Sequence, residues 1–221
     1  MNNAAFYFDV LYPFQDRVIK VFNQAETNFY LTGGTASSRG YLQHRFSDDL
    51  DYFVNDDNRF GLWLERAIQT LTQSKDWTGE VLMKEERFGR LNLTTGKVSL
   101  KIEMVNDVPA HVGEIQHHPV LGRLDSAENI LANKVTALLD REEPKDLADI
   151  WGFCCQKGLS LQAAITNAQS KAAGVFPVDL ARVLCSARRA DWEAVRWINA
   201  PPPDVFLSQL NDLGERLLLP G

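Results

Sequence analysis

The stretch from Phe29 to Val54, FYLTGGTASSRGYLQHRFSDDLDYFV, holds residues whose types and spacing suit phosphate chemistry. Gly33 and Gly34 follow a short strand-like run, Asn28–Thr32. Lacking Cβ atoms, they let the backbone approach a phosphate closely, and the N-terminus of a helix starting near Thr35 would offer free N–H groups to anionic oxygens. Further on, Asp49 and Asp51 straddle Leu50. Side chains on a strand alternate, so both carboxylates face one way while Leu50 and Tyr52 face the other, with the two aspartate Cα atoms about 6.6 Å apart. Such a pair can converge on one or two hard cations that bridge to a triphosphate. The plainer alternatives are a simple strand-to-helix turn for the glycines and a solvated edge strand for the aspartates.

A third carboxylate is expected nearby, and Lys97–Val105 supplies it. Val98, Leu100, Ile102 and Met104 alternate onto one face, which leaves Ser99, Lys101 and Glu103 on the other. Gathering Asp49, Asp51 and Glu103 without a counter-charge would be costly, and bound metal is the simplest compensation. An exposed strand face on which Glu103 pairs with Lys101 or Arg90 is the alternative. Lys84, Arg87, Arg90, Lys97 and Lys101 also concentrate positive charge in this region.

These residues need elements to position them. Val18, Ile19, Val21, Phe22 and Ala25 give Pro13–Glu26 a helical stripe, and Leu62, Leu64, Ala67, Ile68 and Leu71 do the same for Phe60–Ser74. A helix over Thr35–Gln43 separates the two strands of the glycine–aspartate segment. Strands are expected at Leu50–Val54, Glu80–Arg87, Arg90–Thr95 and Lys97–Val105, with a hairpin turn at Thr95-Gly96. After Asp107 the pattern becomes helical. Ser126 caps one helix, Lys145–Lys157 forms a second that Gly158 closes, Ser160 caps a third, and Pro201–Pro203 precede a last one from about Asp204. The fold class is thus α/β (α+β), a mixed, mainly antiparallel sheet with flanking helices followed by a helical C-terminal region. The division falls at 1–110 and 111–221, with the site expected in the cleft between the halves.

Lys134 lies inside the apolar stripe of Ala127, Ile130 and Leu138, with Arg141 on the same side. A lysine among apolar neighbours calls for an anion, for which a nucleotide phosphate is a candidate, unless its ammonium reaches water. Asp146 and Asp149 share an edge of the next helix, where they could orient Lys134 or Arg141. Lys145 and Asp149 are spaced for an ordinary helix ion pair. Arg45 and Ser47 either position the aspartate strand or touch phosphate. His117-His118 has no spaced partner set and reads as loop. Trp192, Val195 and Trp197 mark either core or a partner surface.

The 221 residues carry 45% hydrophobic and 24% charged residues, which excludes a disordered chain. No apolar run approaches the roughly 20 residues of a membrane span. Three cysteines without a CxxC pair, and no leader-like start, suit a reducing, cytoplasmic location. A net charge of −6 argues against a surface that binds nucleic acid everywhere, though a local basic groove remains compatible with it.

Gly33-Gly34-Thr35 followed by RFSDDLDYF resembles the "GG(T/S)…R.S.DIDF" signature of the nucleotidyltransferase-fold AbiEii/AbiGii toxin family. The later KVTALLDR and KDLADI are similar to that family's second signature, "K..A…R…KD..D". The resemblance covers about Phe29 to Trp151. Ser37 and Ser38 depart from it, because the family usually has a bulky residue after GGTA. The resemblance implies transfer of a nucleoside monophosphate from an NTP, as substrate, to an acceptor, with Mg²⁺ (or Mn²⁺) as the cofactor and pyrophosphate released. It implies Asp49, Asp51 and Glu103 as metal ligands and catalytic groups, with Lys134 as a further catalytic group. Gly33, Gly34, Thr35, Arg45, Ser47, Lys134 and Asp146 would bind the nucleotide. RNA (tRNA included) or protein would be the acceptor, and a cognate antitoxin the partner. A non-enzymatic nucleotide- or partner-binding relative of the fold, and a small-molecule nucleotidyltransferase of the aminoglycoside-modifying kind, are the alternatives.

Overall fold

The structure, a computed structural model, describes residues 3–219. It forms two compact units, one comprising the chain up to Ala36 together with Ser47–Asp125, the other Ser37–Phe46 together with the chain from Ser126 onward. Residues 37–46 and 111–125 therefore fall on the other side of the division from the one read in the sequence.

The first unit is built on a seven-stranded mixed sheet in the order β3-β4-β5-β2-β1-β7-β6. Its strands are β1 (Tyr30–Thr32), β2 (Leu50–Asn55), β3 (Thr78–Lys84), β4 (Phe88–Thr95), β5 (Val98–Asp107), β6 (Gln116–His118) and β7 (Gly122–Leu124). The pairs β1–β7 and β2–β5 are parallel and the other four antiparallel. A short helix α1 (Asn3–Phe6) leads through a π turn (Tyr7–Leu11) into α2 (Tyr12–Phe22), while α3 (Gly33–Thr35) follows β1 and α4 (Phe60–Thr72) follows β2.

Alternation decides which face is buried. Leu50, Tyr52 and Val54 of β2, Leu100, Ile102 and Met104 of β5, and Leu91 and Leu93 of β4 are buried, whereas Asp51, Lys101 and Glu103 on the opposite face are only half-buried. Phe22 of α2 stacks on Tyr52 with centroids 3.7 Å apart, and α2 packs against α4. Gly96, at φ +57°, makes the two-residue turn that lets Thr95 face Val98. His117 and His118 are strand, not loop: they pair with Arg123 and Gly122, and His118 Nδ1 accepts from the N–H groups of Val120 and Leu121 at 3.2 and 3.1 Å. Three largely exposed residues carry no readable period, which is why this strand is invisible in the sequence.

The second unit is helical: α5 (Ala127–Arg141), α6 (Pro144–Trp151), α7 (Leu161–Gln169), α8 (Pro177–Cys185), α9 (Arg189–Ala194) and α10 (Pro203–Leu218). Ser126 and Ser160 cap α5 and α7 as expected, their hydroxyls accepting from Asn129 and Ala163 N–H groups at 3.0 and 3.2 Å. Glu142 leaves α5 in a left-handed conformation at φ +46°, and Pro144 starts α6. Trp151, Trp197 and Phe206 meet edge-to-face, and Trp197 Nε1 donates to the Trp192 carbonyl at 2.8 Å. That cluster makes these tryptophans part of the packing of the second unit. No helix among the described residues is long and apolar enough to cross a membrane.

Candidate active site

The glycine turn and the aspartate strand are fitted to each other. Thr32 is extended, and Gly33 turns to φ +65°. A Cβ on Gly33 would stand 2.2 Å from Asp51 Oδ2, so the carboxylate lies directly against the turn and only glycine is tolerated there. Thr35 is fully buried; its hydroxyl donates to the Asp49 carbonyl at 2.5 Å and lies 3.1 Å from Ser47 Oγ. Thr35 and Ser47 thus tie the glycine turn to the start of β2.

The approach to β2 is also held from α2 and the π turn before it. Gln15 Nε2 donates to the carbonyls of Asp48 (2.9 Å) and Ser47 (3.3 Å), Tyr12 accepts from the Ser47 N–H, and the Tyr7 hydroxyl donates to Asp48. Sequence reading missed these residues. The available signal was Gln15, a polar residue within the apolar stripe of α2 and 0% exposed.

Asp51 is the register neighbour of Glu103 in β5, so the two share a sheet face, and Asp49 precedes Asp51 by one alternation. Lys101 Nζ stands between two of these carboxylates, 3.0 Å from Asp49 Oδ2 and 3.2 Å from Glu103 Oε1. Arg90 grips Glu103 Oε1 through Nη2 at 2.8 Å and Nε at 2.9 Å. Burial acts to lower Lys101, but the hydrogen bond and charge of Asp49, with Glu103 behind, carry it above the ordinary lysine value. Among the described residues no three His, Cys, Asp or Glu side chains gather closely enough to hold a metal ion. Lys84 pairs with Glu65 and Arg87 with Asp56, so four of the five cations noted in this region are matched by carboxylates.

The second signature forms a buried charge knot within the second unit. Asp149, fully buried, accepts from Arg45 Nε and Nη2, both at 2.7 Å, and from Lys134 Nζ at 2.7 Å. His44 Nε2 adds a contact at 3.0 Å. Asp146, also fully buried, accepts from Lys134 Nζ at 2.7 Å and from Arg141 Nε and Nη2 at 2.8 Å. Burial alone would raise Asp149, but the charges of Arg45 and Lys134, together with the His44 and Arg45 hydrogen bonds, hold it well below the usual carboxylate range. Burial pushes His44 down despite its bond to Asp149, and its Nδ1 has no hydrogen-bond partner among the described residues. Arg45 is therefore a ligand of Asp149, and Lys134 bridges two carboxylates where an apolar stripe had suggested an anion partner. Lys145 pairs with Glu143 at 2.7 Å rather than with Asp149, because Asp149 points inward to Arg45 and Lys134. Ser37 and Ser38, at the departure from the family pattern, are fully buried, and the Ser38 hydroxyl donates to the Arg45 carbonyl. Small residues fit there because the π-helical segment Ala36–Leu42 that carries them is packed tightly at both serines.

A glycine turn locked to an Asp-x-Asp strand, with a third carboxylate in register, defines the nucleotidyltransferase class of fold. The family described as nucleotidyl transferase AbiEii toxin, type IV toxin–antitoxin system, matches residues 19–196, and the chain belongs to it. Among solved structures, a Helicobacter pylori protein described as a nucleotidyltransferase is similar at 19% identity and TM-score 0.63, over 98% of this chain and 96% of its own. JHP933 of Helicobacter pylori is similar at 20% identity and TM-score 0.64, over 98% and 93%. The nucleotidyltransferase toxin MenT4 of Mycobacterium tuberculosis is similar at 14% identity and TM-score 0.59, over 96% and 84%. At these identities the likeness is one of fold. Among curated proteins none matches the chain.

Proposed function

We propose that the protein transfers a nucleoside monophosphate from an NTP to an RNA (tRNA included) or protein acceptor, as the toxin of a toxin–antitoxin pair with a cognate antitoxin. One observation carries the reading: Asp51 lies against the Gly33 turn and in register with Glu103, so phosphate-binding backbone and acidic face form one surface. Asp49, Asp51 and Glu103 offer only carboxylate oxygen, the donor chemistry of a hard divalent cation such as Mg²⁺, and would have to draw together to hold one. The position of the Lys101 ammonium between Asp49 and Glu103 supports the fit, because that pair already accommodates a positive charge. When bound, a divalent ion there would neutralise the triphosphate and make the α-phosphorus more electrophilic.

The chain's own groups do the rest. Backbone N–H groups at Gly33 and Gly34 face the triphosphate oxygens, and Asp51, wedged against Gly33, fixes the distance between turn and acidic face. Glu103 accepts the proton of the acceptor hydroxyl. The acceptor oxygen then bonds to the α-phosphorus while the bond to the β-phosphate bridging oxygen breaks, and its electron pair leaves with pyrophosphate.

Incubation of wild type and Asp51→Asn with each α-labelled NTP, Mg²⁺, and total cellular RNA and protein tests this. The expected result is label on one macromolecule with wild type alone. Equal labelling by Asp51→Asn, or no labelling with any NTP, would overturn it.

A further inference from the structure

A titratable pair in the first unit stands outside the carboxylate face. His111 Nε2 lies 2.9 Å from Asp125 Oδ1. Asp125 is 0% exposed, its Oδ2 accepts from the Thr32 hydroxyl at 2.6 Å, and its N–H donates to the Leu31 carbonyl at 2.9 Å. The His111 side chain remains 18% exposed. Its ring meets Tyr30 edge-on, with centroids 5.4 Å apart. The Tyr30 hydroxyl donates to Asn55 Oδ1 at 2.6 Å, and Asn55 Nδ2 donates to the Val108 carbonyl at 2.9 Å. Residues of β1 and β2 therefore fix the loop that carries His111.

The register shows where this pair lies. Asp51 is opposite both Glu103 in β5 and Thr32 in β1, and Leu31 is opposite Leu124, which puts Asp125 beside Thr32. Glu103, Asp51, Thr32 and Asp125 thus form a row across four adjacent chain segments, spaced about 4.8 Å apart. Glu103 is at one end and the His111–Asp125 pair at the other. Gly33, where the phosphate-binding turn begins, directly follows Thr32.

The two ends of the row suit different parts of a nucleotide. The Glu103 end can take a proton from an acceptor but repels a polyphosphate tail. The opposite end joins backbone donors to an imidazole. With Nε2 engaged by Asp125 Oδ1, Nδ1 is the ring nitrogen left for a ligand. Resting on the nucleotidyl-transfer reading, we infer that His111, oriented by Asp125, contacts the β- and γ-phosphates on the leaving-group side. In the transfer, the Pα–O–Pβ bond breaks toward this side. The His111 Nδ1–H donates a hydrogen bond to an oxygen of the departing pyrophosphate, and the ring neither gains nor loses a covalent bond.

Calorimetric titration of the full chain with inorganic pyrophosphate, the four NTPs and the four nucleoside monophosphates, all with Mg²⁺, tests this. His111→Ala removes the ring; His111→Phe keeps its packing on Tyr30 and removes only the nitrogens. Circular dichroism and melting curves establish that each variant is folded. Expected is roughly tenfold weaker binding of pyrophosphate and NTP in both variants, the scale of one charge-assisted hydrogen bond, with monophosphate binding unchanged. Unchanged pyrophosphate affinity in a folded variant overturns the inference alone. So does an equal loss for monophosphate and pyrophosphate, which would make His111 a shaper of the turn. Wild type binding neither NTP nor pyrophosphate overturns this inference and the proposed function together.

Discussion

Asp149→Asn puts the charge knot of the second unit to a quantitative test. In the wild type two buried cations, Lys134 and Arg45, face two buried anions, Asp146 and Asp149, while Arg141 reaches Asp146 from a 41% exposed position. The substitution keeps the shape of the side chain and removes one anion, leaving one buried cation in excess. Each lost attraction, with charge centres about 4 Å apart, is ~4 kcal/mol at an effective dielectric of about 20. Two such attractions are lost. Part of that ~8 kcal/mol is offset because an amide costs less to bury than a carboxylate, and the expected net loss is ~3–5 kcal/mol. Against a typical total of about 5–15 kcal/mol, this should be plain in urea unfolding at pH 7, followed by tryptophan fluorescence from the Trp151–Trp197 cluster. The pH dependence carries its own sign. A carboxyl held low in the folded state contributes fully above its unfolded value near 3.9, and that contribution fades as pH falls from there through the folded value. Asp149→Asn should therefore flatten the acid limb below about pH 4. A loss under ~1 kcal/mol at pH 7, or an unaltered acid limb, would refute the reasoning about the knot.

Gly33→Ala brings a Cβ to 2.2 Å from Asp51 Oδ2 at a left-handed φ; displacing that carboxylate by about an ångström should reduce labelling by about a hundredfold, and wild-type turnover would contradict the fit of turn to strand. Lys101→Met removes the ammonium between Asp49 and Glu103; Mn²⁺ binding measured by calorimetry should tighten about fivefold, the scale of one partly exposed ion pair, and weaker binding would show that Lys101 supports the cation site. The buried His44 ring resists protonation that the unfolded chain accepts near pH 6.5, so wild-type stability should fall as pH drops from 7 to 5. His44→Gln should remove that slope, read from urea midpoints at pH 5, 6 and 7.

Periodicity made the carboxylate face legible. Alternation in Leu50–Val54 and Lys97–Val105 placed Asp51 and Glu103 on the polar side, and β2 and β5 keep that arrangement as direct neighbours. That adjacency could not be read, because a parallel pairing of residues 52 positions apart, Asp51 with Glu103, leaves no local trace. The partners of the charged residues were equally hidden. Helical spacing placed Lys134 among apolar side chains and Asp146 and Asp149 along one edge, yet Arg45 closes the knot from about ninety positions upstream of Lys134. His111 shows no pattern at all, since its setting depends on Asp125, Tyr30 and Asn55, which come together only through the sheet.

The two signatures of the family therefore do separable physical work. Asp49, Asp51 and Glu103 sit on a half-buried face, where a neutral substitute of the same shape costs little stability and any loss of activity reports on chemistry. Lys134, Asp146 and Asp149 are buried in mutual contact, where removing one partner strands the others in a medium that cannot solvate them. Lost activity in a Lys134 variant is thus ambiguous by itself, because a destabilised chain and a missing phosphate ligand produce the same result. Measured at a temperature where the variant stays folded, turnover separates the two. Retained turnover would make the lysine a part of the scaffold, whereas a loss at full folding would assign it a role at the nucleotide.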